Sequence, residues 1–209
     1  MGLLSLLIDN PAAFFLLAFP LLYSVIAHEI AHGLVASWFG DNTAKFAGRL
    51  SLNPIVHLDP IGTLMLFFVG FGWAKPVPVD YFNLKNSRWA LISVSLAGCI
   101  TNILIAAIAI YLLQSPIVNP NSVSSEILTR VAQINIILGA FNLIPIPPLD
   151  GSKVLMAFLP PEAQAGMARI EPYGFFIIII LLYTGLLYPV IDFLWKLIIG
   201  LISLTYIFL

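Results

Sequence analysis

The sequence predicts an all-α polytopic membrane protein of about five to six transmembrane helices, with a re-entrant hairpin and short strands embedded at membrane depth. Three observations lead there. Of the 209 residues, 60% are hydrophobic and only 9% are charged, with a mean hydropathy of +1.02. A soluble domain carries about 25% charged residues, so a surface this poor in charge needs lipid as its solvent. Apolar runs of about 20 residues, the length that crosses the hydrocarbon core, recur along the chain. Between them stand short turns rich in Gly and Pro, and no polar stretch is long enough to fold alone. One membrane domain is therefore expected over 1–209, with a core at about 11–160 and C-terminal helices at about 173–209.

The first span is expected over 11–39, stopped by the turn signal Gly40-Asp41-Asn42. The next apolar piece, 61–71, is too short to cross, and Pro76 and Pro78 follow it. A third span is expected over 89–113 and a fourth over 127–144, the latter broken by Pro145, Pro147 and Pro148. The last run, 173–209, is long enough for two spans hinged near Tyr188-Pro189. Strands are expected over 43–52, where polar and apolar residues alternate with the strand period, and over 73–79, where Pro76 and Pro78 admit only an edge strand. Such backbone survives at membrane depth only inside protein or beside a wet cavity.

Short cytoplasmic loops carry the excess of Lys and Arg. Segment 40–60 has Lys45 and Arg49, segment 74–88 has Lys75, Lys85 and Arg88, and segment 150–172 has Lys153 and Arg169, whereas 114–126 has none. The first three are expected to face the cytoplasm. The piece 61–71 then enters and leaves on one side, as a re-entrant hairpin does. No Lys or Arg precedes the first apolar stretch, so a cleaved signal peptide is not expected. The net charge of −1 argues against nucleic acid as a partner, and the single cysteine, Cys99, excludes an internal disulfide.

Within the first span stands His28-Glu29-Ile30-Ala31-His32. Residues four apart on a helix share a face, about 6 Å apart along the axis. Two imidazoles so placed can close on one zinc ion, with the intervening Glu as base. The whole chain holds only three His and four Glu, so this register is a specific signal. The competing reading is a set of interfacial residues snorkelling to water. Each ionisable group at mid-membrane costs about 2.5–3.5 kcal/mol on insertion scales, and a metal compensates that cost. A catalytic zinc site has three protein ligands, and Asp150, Asp59 and His57 are candidates for the third. Asp150 follows the fourth span, after prolines that unwind the helix end and before Gly151, which permits a tight turn. It could equally cap a helix beginning at Ser152.

The chain resembles the site-2 protease family of intramembrane zinc metalloproteases. The HExxH motif stands as His28 through His32 and the NxxPxPxxDG motif as Asn142 through Gly151, in family order. Arg49 through Pro54, His57 through Gly62 and Gly72 through Val77 resemble the compact branch, which lacks a PDZ or CBS module. The resemblance covers about residues 20–160. Many relatives have Pro after the Ala-Gly of the third span, where this chain has Cys99 after Ala97-Gly98; that departure touches packing rather than catalysis.

The resemblance implies one Zn2+ per chain held by His28, His32 and Asp150, with Glu29 as general base and Asn142 stabilising the oxyanion. It implies an endopeptidase that cuts transmembrane segments of other proteins, multi-pass in the cell membrane; by the loop charges, its active site is expected toward the cytoplasmic side. Three further polar residues are weaker candidates. Asn102, in the third span, can serve as interhelical glue or act near the site. His57 and Asp59 lie at the mouth of the hairpin, as loop residues, as supports for the ligands or as substrate contacts. A divalent-metal transporter is the alternative function, and an inactive relative acting as a regulatory module is the third.

Overall fold

The computed structural model describes residues 3–70, 72–80, 84 and 87–207. Helices order the chain: α1 (Leu3–Asp9), α2 (Pro11–Trp38), α3 (Thr43–Phe46), α4 (Pro60–Val69), α5 (Arg88–Gln114), α6 (Val123–Asn142), α7 (Asp150–Met156), α8 (Pro161–Tyr183) and α9 (Tyr188–Ile207). A 3-10 turn, Pro54–Val56, precedes α4. Several starts are capped as the sequence dictates. Asn10 accepts from the Ala13 N–H at 3.1 Å ahead of Pro11, Ser87 from Ala90 at 3.1 Å, and Ser122 from Ser125 at 3.2 Å. Each satisfies one of the N–H groups a helix start leaves open.

Among the described residues, α2, α5 and α8 are long and apolar enough to cross a membrane. Helices α6 and α9 have 20 residues each, about 30 Å at 1.5 Å per residue. With 10 residues, α4 is too short to cross. It ends at Gly70, whose φ of 83° favours glycine, and the chain then doubles back on α4. A Cβ on Gly62 would overlap the Trp73 carbonyl, and one on Gly72 would overlap the Gly62 carbonyl. Residues 72 and 73 thus lie folded back against α4; Phe71 and Lys85 lie outside the described residues.

Among the described residues the expected strands do not form. Residues Thr43–Phe46 form a helical turn. Asp41 Oδ1 accepts from the Thr43 N–H at 3.0 Å, and Gly48 reverses the chain at φ 66°. Alternation over four residues does not distinguish one helical turn from a strand, and the Asp41 side chain decides it by satisfying a backbone donor locally. Segment 73–79 is extended, but among the described residues it pairs only through one antiparallel bridge, Leu58 to Ala74. Pro76 and Pro78 supply no N–H, so a ladder cannot propagate.

Helices α2, α5 and α6 pack against one another at the centre. Small residues Ala106 and Ala140 let α5 and α6 approach, and Ile198 and Ile202 of α9 close that cluster. Helix α8 covers the loop between α6 and α7. Its Ile178 packs with Ile144 and Leu149, and a Cβ on Gly174 would overlap the Pro147 carbonyl. Loop 49–58 clasps the extended segment. Arg49 donates to the Lys75 carbonyl at 2.6 Å, the Lys75 N–H donates to the His57 carbonyl at 2.8 Å, and His57 Nε2 donates to the Ser51 carbonyl at 2.7 Å.

Candidate metal centre

His28 and His32 project from one face of α2 toward the start of α7, and all three side chains of the group they form with Asp150 are buried. His28 Nε2 lies 3.0 Å from Asp150 Oδ2, His32 Nε2 lies 3.1 Å from the same oxygen, and the two Nε2 atoms are 3.1 Å apart. Among the described residues these three are the set able to hold a metal ion. Asp150 reaches them because α7 begins almost in contact with the end of α6. A Cβ on Gly151 would overlap the Leu143 carbonyl. Gly151 therefore serves close approach, since it is absent from the glycines of positive φ. Asp150 does not cap a helix from outside. It is the first residue of α7, and Ser152 donates both N–H and hydroxyl to Leu149 O, at 3.0 and 2.6 Å. Lys153 Nζ stands 3.9 Å from the other carboxylate oxygen.

The far side of each ring decides what the near side can do. His32 Nδ1 lies 2.6 Å from the Val94 carbonyl, which can only accept, so that nitrogen carries a proton. His28 Nδ1 lies 2.6 Å from Asn102 Oδ1 and likewise donates. Each neutral ring then presents a lone pair at Nε2. Two lone pairs and a carboxylate oxygen thus meet within 3.1 Å, an arrangement of acceptors that repels itself and that a cation relieves. Nitrogen and carboxylate donors of this number suit zinc, and outer partners that fix the ring tautomer accompany such ligands. The residues fit the metal.

The other expected residues take separate places. Glu29 Oε2 accepts from the Val77 N–H at 2.8 Å, which ties the carboxylate to the extended segment. Asn142 ends α6 and donates to its own helix at Leu138 O, 3.0 Å away, with no hydrogen bond to the His28, His32 and Asp150 group. His57 is buried in the loop clasp, and Asp59 caps α4 by accepting from the Gly62 N–H at 2.7 Å. Asn102 hydrogen-bonds His28 directly.

Sequence reasoning missed Gly98, Asn135 and Ser24. Asn135 and Ser24 are polar residues within apolar spans, the same signal that singled out Asn102. Gly98 had no such signal, because its role is the absence of a side chain. A Cβ there would overlap His28 Cε1 and lie 2.5 Å from both Nε2 atoms. Both rings are held from behind, so neither can retreat. Gly98→Ala is expected to weaken zinc binding by more than the about 10–100-fold that loss of an outer partner costs. Chelator competition checks this, and binding equal to wild type would show that the rings yield.

A family model described as peptidase family M50 matches residues 115–184. YwhC of Bacillus subtilis, whose name assigns it provisionally to the zinc metalloproteases, is 41% identical over 181 residues, covering 81% of this chain and 81% of that one. Rip2 of Mycolicibacterium smegmatis, named in the same provisional way, is 29% identical over 78% of this chain and 64% of its own. The zinc metalloprotease MJ0392 of Methanocaldococcus jannaschii is 27% identical, and the chain spans 38% of its length. No solved structure matches.

Proposed function

The chain belongs to peptidase family M50, the site-2 type of zinc metalloprotease, and from that premise we propose that it hydrolyses peptide bonds within transmembrane segments of other membrane proteins. That it is a zinc metalloprotease and a membrane protein follows from its family and its apolar helices. The intramembrane reading is carried by one observation: the buried cluster of His28, His32 and Asp150 takes both histidines from α2, a helix long and apolar enough to cross a bilayer.

In this reading His28, His32 and Asp150 hold the zinc. Bound there, zinc supplies a Lewis acid that polarises a carbonyl and acidifies water. Glu29 takes the proton of the attacking water and returns it to the leaving amine. The Val77 N–H holds one of its oxygens at 2.8 Å and so aims the other. Asn142 would meet the developing oxyanion by turning its amide away from Leu138. Helices α6 and α9 join the three apolar helices as further spans. By the distribution of Lys and Arg, segments 40–60 and 150–172 face the cytoplasm and the site opens toward that side.

Substrate must unwind to expose its carbonyls, and an edge strand could hold it. Segment 43–52 is helical at its start and is no longer a candidate for that edge. Along 75–78 one edge is already used, by Lys75 N–H to His57 and Val77 N–H to Glu29. The other edge holds Pro76 and Pro78, which leave carbonyls alone as pairing groups. An unwound substrate would therefore donate its own N–H groups there.

The test is cleavage of a labelled transmembrane substrate by purified protein in liposomes, with the cut located by mass spectrometry. Expected is a chelator-sensitive cut inside the hydrophobic segment. Cuts confined to the substrate's water-exposed loops would remove the intramembrane reading. Metal flux across the liposome without cleavage would favour a transporter.

A further inference from the structure

Behind His28 a series of hydrogen bonds crosses three helices and ends on a backbone carbonyl. Asn135 of α6 donates through Nδ2 to Val131 O at 2.8 Å and to Ser24 Oγ of α2 at 2.7 Å. Asn135 Oδ1 accepts from Asn102 Nδ2 of α5 at 2.7 Å, and Asn102 Oδ1 accepts from His28 Nδ1 at 2.6 Å. Both asparagines are fully buried.

We infer that Asn135, supported by Ser24, is a positioning residue of the metal centre: it holds the Asn102 amide in the orientation that places the proton of His28 on Nδ1 and leaves Nε2 free to bind metal. The inference rests on the reading of His28 as a zinc ligand. Its force is direction. A carbonyl oxygen only accepts, so Val131 fixes which end of the Asn135 amide faces it. That leaves Oδ1 toward Asn102, and Asn102 can answer only with Nδ2. Its oxygen must then face His28. Were Asn102 reversed, its NH2 would confront Nδ1, the ring proton would move to Nε2, and the ligand lone pair would be lost. No water stands ready in hydrocarbon to correct a reversed amide. Asn102 Nδ2 also reaches the Ser24 carbonyl, but at 3.4 Å against 2.7 Å to Asn135 Oδ1, so Asn135 is the stronger hold on that amide.

The experiment compares Asn135→Leu with wild type, as full-length protein in detergent or liposomes. Zinc affinity is measured by chelator competition, and the ring N–H resonances are followed after 15N-histidine labelling, where only three histidines contribute. Asn135→Leu is expected to bind zinc about 10–100-fold more weakly, with helix content unchanged and the His28 Nδ1–H resonance displaced. Asn102→Asp offers His28 an acceptor whichever way the group turns, so adding Asn135→Leu to Asn102→Asp is expected to cost no further affinity. Wild type that holds zinc beside an Asn135→Leu protein that holds it equally, with the resonance unmoved, would overturn the inference alone. An equal loss in the Asn102→Asp background would reduce Asn135 to packing and overturn it as well. Wild type that holds no zinc would overturn the underlying reading, and the inference with it.

Discussion

Glu29→Gln is expected to lower peptide hydrolysis by about 10²–10⁴-fold, the contribution of a positioned general base, while zinc content and fold remain those of the wild type. Gln is nearly isosteric with Glu and cannot take a proton at neutral pH. Its side-chain oxygen can still accept the Val77 N–H that Glu29 Oε2 accepts at 2.8 Å, so the extended segment keeps its anchor. Glu29 is not among the three residues whose ligand atoms converge, so its charge can be removed without emptying the site. The measurement is turnover of a transmembrane substrate alongside metal analysis of the same preparation. Near-normal turnover would remove Glu29 as the base. Loss of zinc together with activity would make it a ligand or a structural anchor instead.

Asp150→Ala is expected to empty the centre of zinc and to abolish activity with it. Both imidazole nitrogens lie within 3.1 Å of Asp150 Oδ2, and without that oxygen two neutral donors remain. Asp59→Ala is the control. Asp59 caps α4 through the Gly62 N–H at 2.7 Å, and loss of such a cap costs about 0.5–2 kcal/mol of stability. Its zinc occupancy should stay near that of wild type. The reverse pattern, with zinc lost from Asp59→Ala and kept by Asp150→Ala, would exchange their roles.

Much of this was legible because it rests on short-range periodicity. The i and i+4 histidines had to share a face of α2, and the long apolar runs at 11–39 and 89–113 became α2 and α5. What was not legible depends on contacts between elements. Gly98 matters because the α5 backbone passes beside both imidazoles, and no pattern within α5 announces a neighbour on α2. Gly151 looked like a turn glycine, whereas it is required by the approach of α7 to Leu143. The alternation at 43–52 was real, but Asp41 offered the chain a local hydrogen bond and the segment began as helix instead. The prolines at 76 and 78 correctly excluded helix and also prevented a ladder. Asn142 was singled out through its motif, yet its amide bonds to Leu138 within α6.

The separation of the proposed zinc ligands along the chain bears on how the protein comes to be made. His32 and Asp150 are 118 residues apart. At translation rates of about 5–20 residues per second, the histidine pair leaves the ribosome about 6–24 s before its carboxylate partner. During that interval α2 is present without α7, and then with α5 and α6 only partly inserted. A two-imidazole half-site lacks the three ligands of a catalytic zinc site, so in the proposed reading the growing chain is no competent hydrolase during that interval. Under the proposed zinc reading, proteolytic competence is thus postponed until the central helices have assembled, by the order of residues alone.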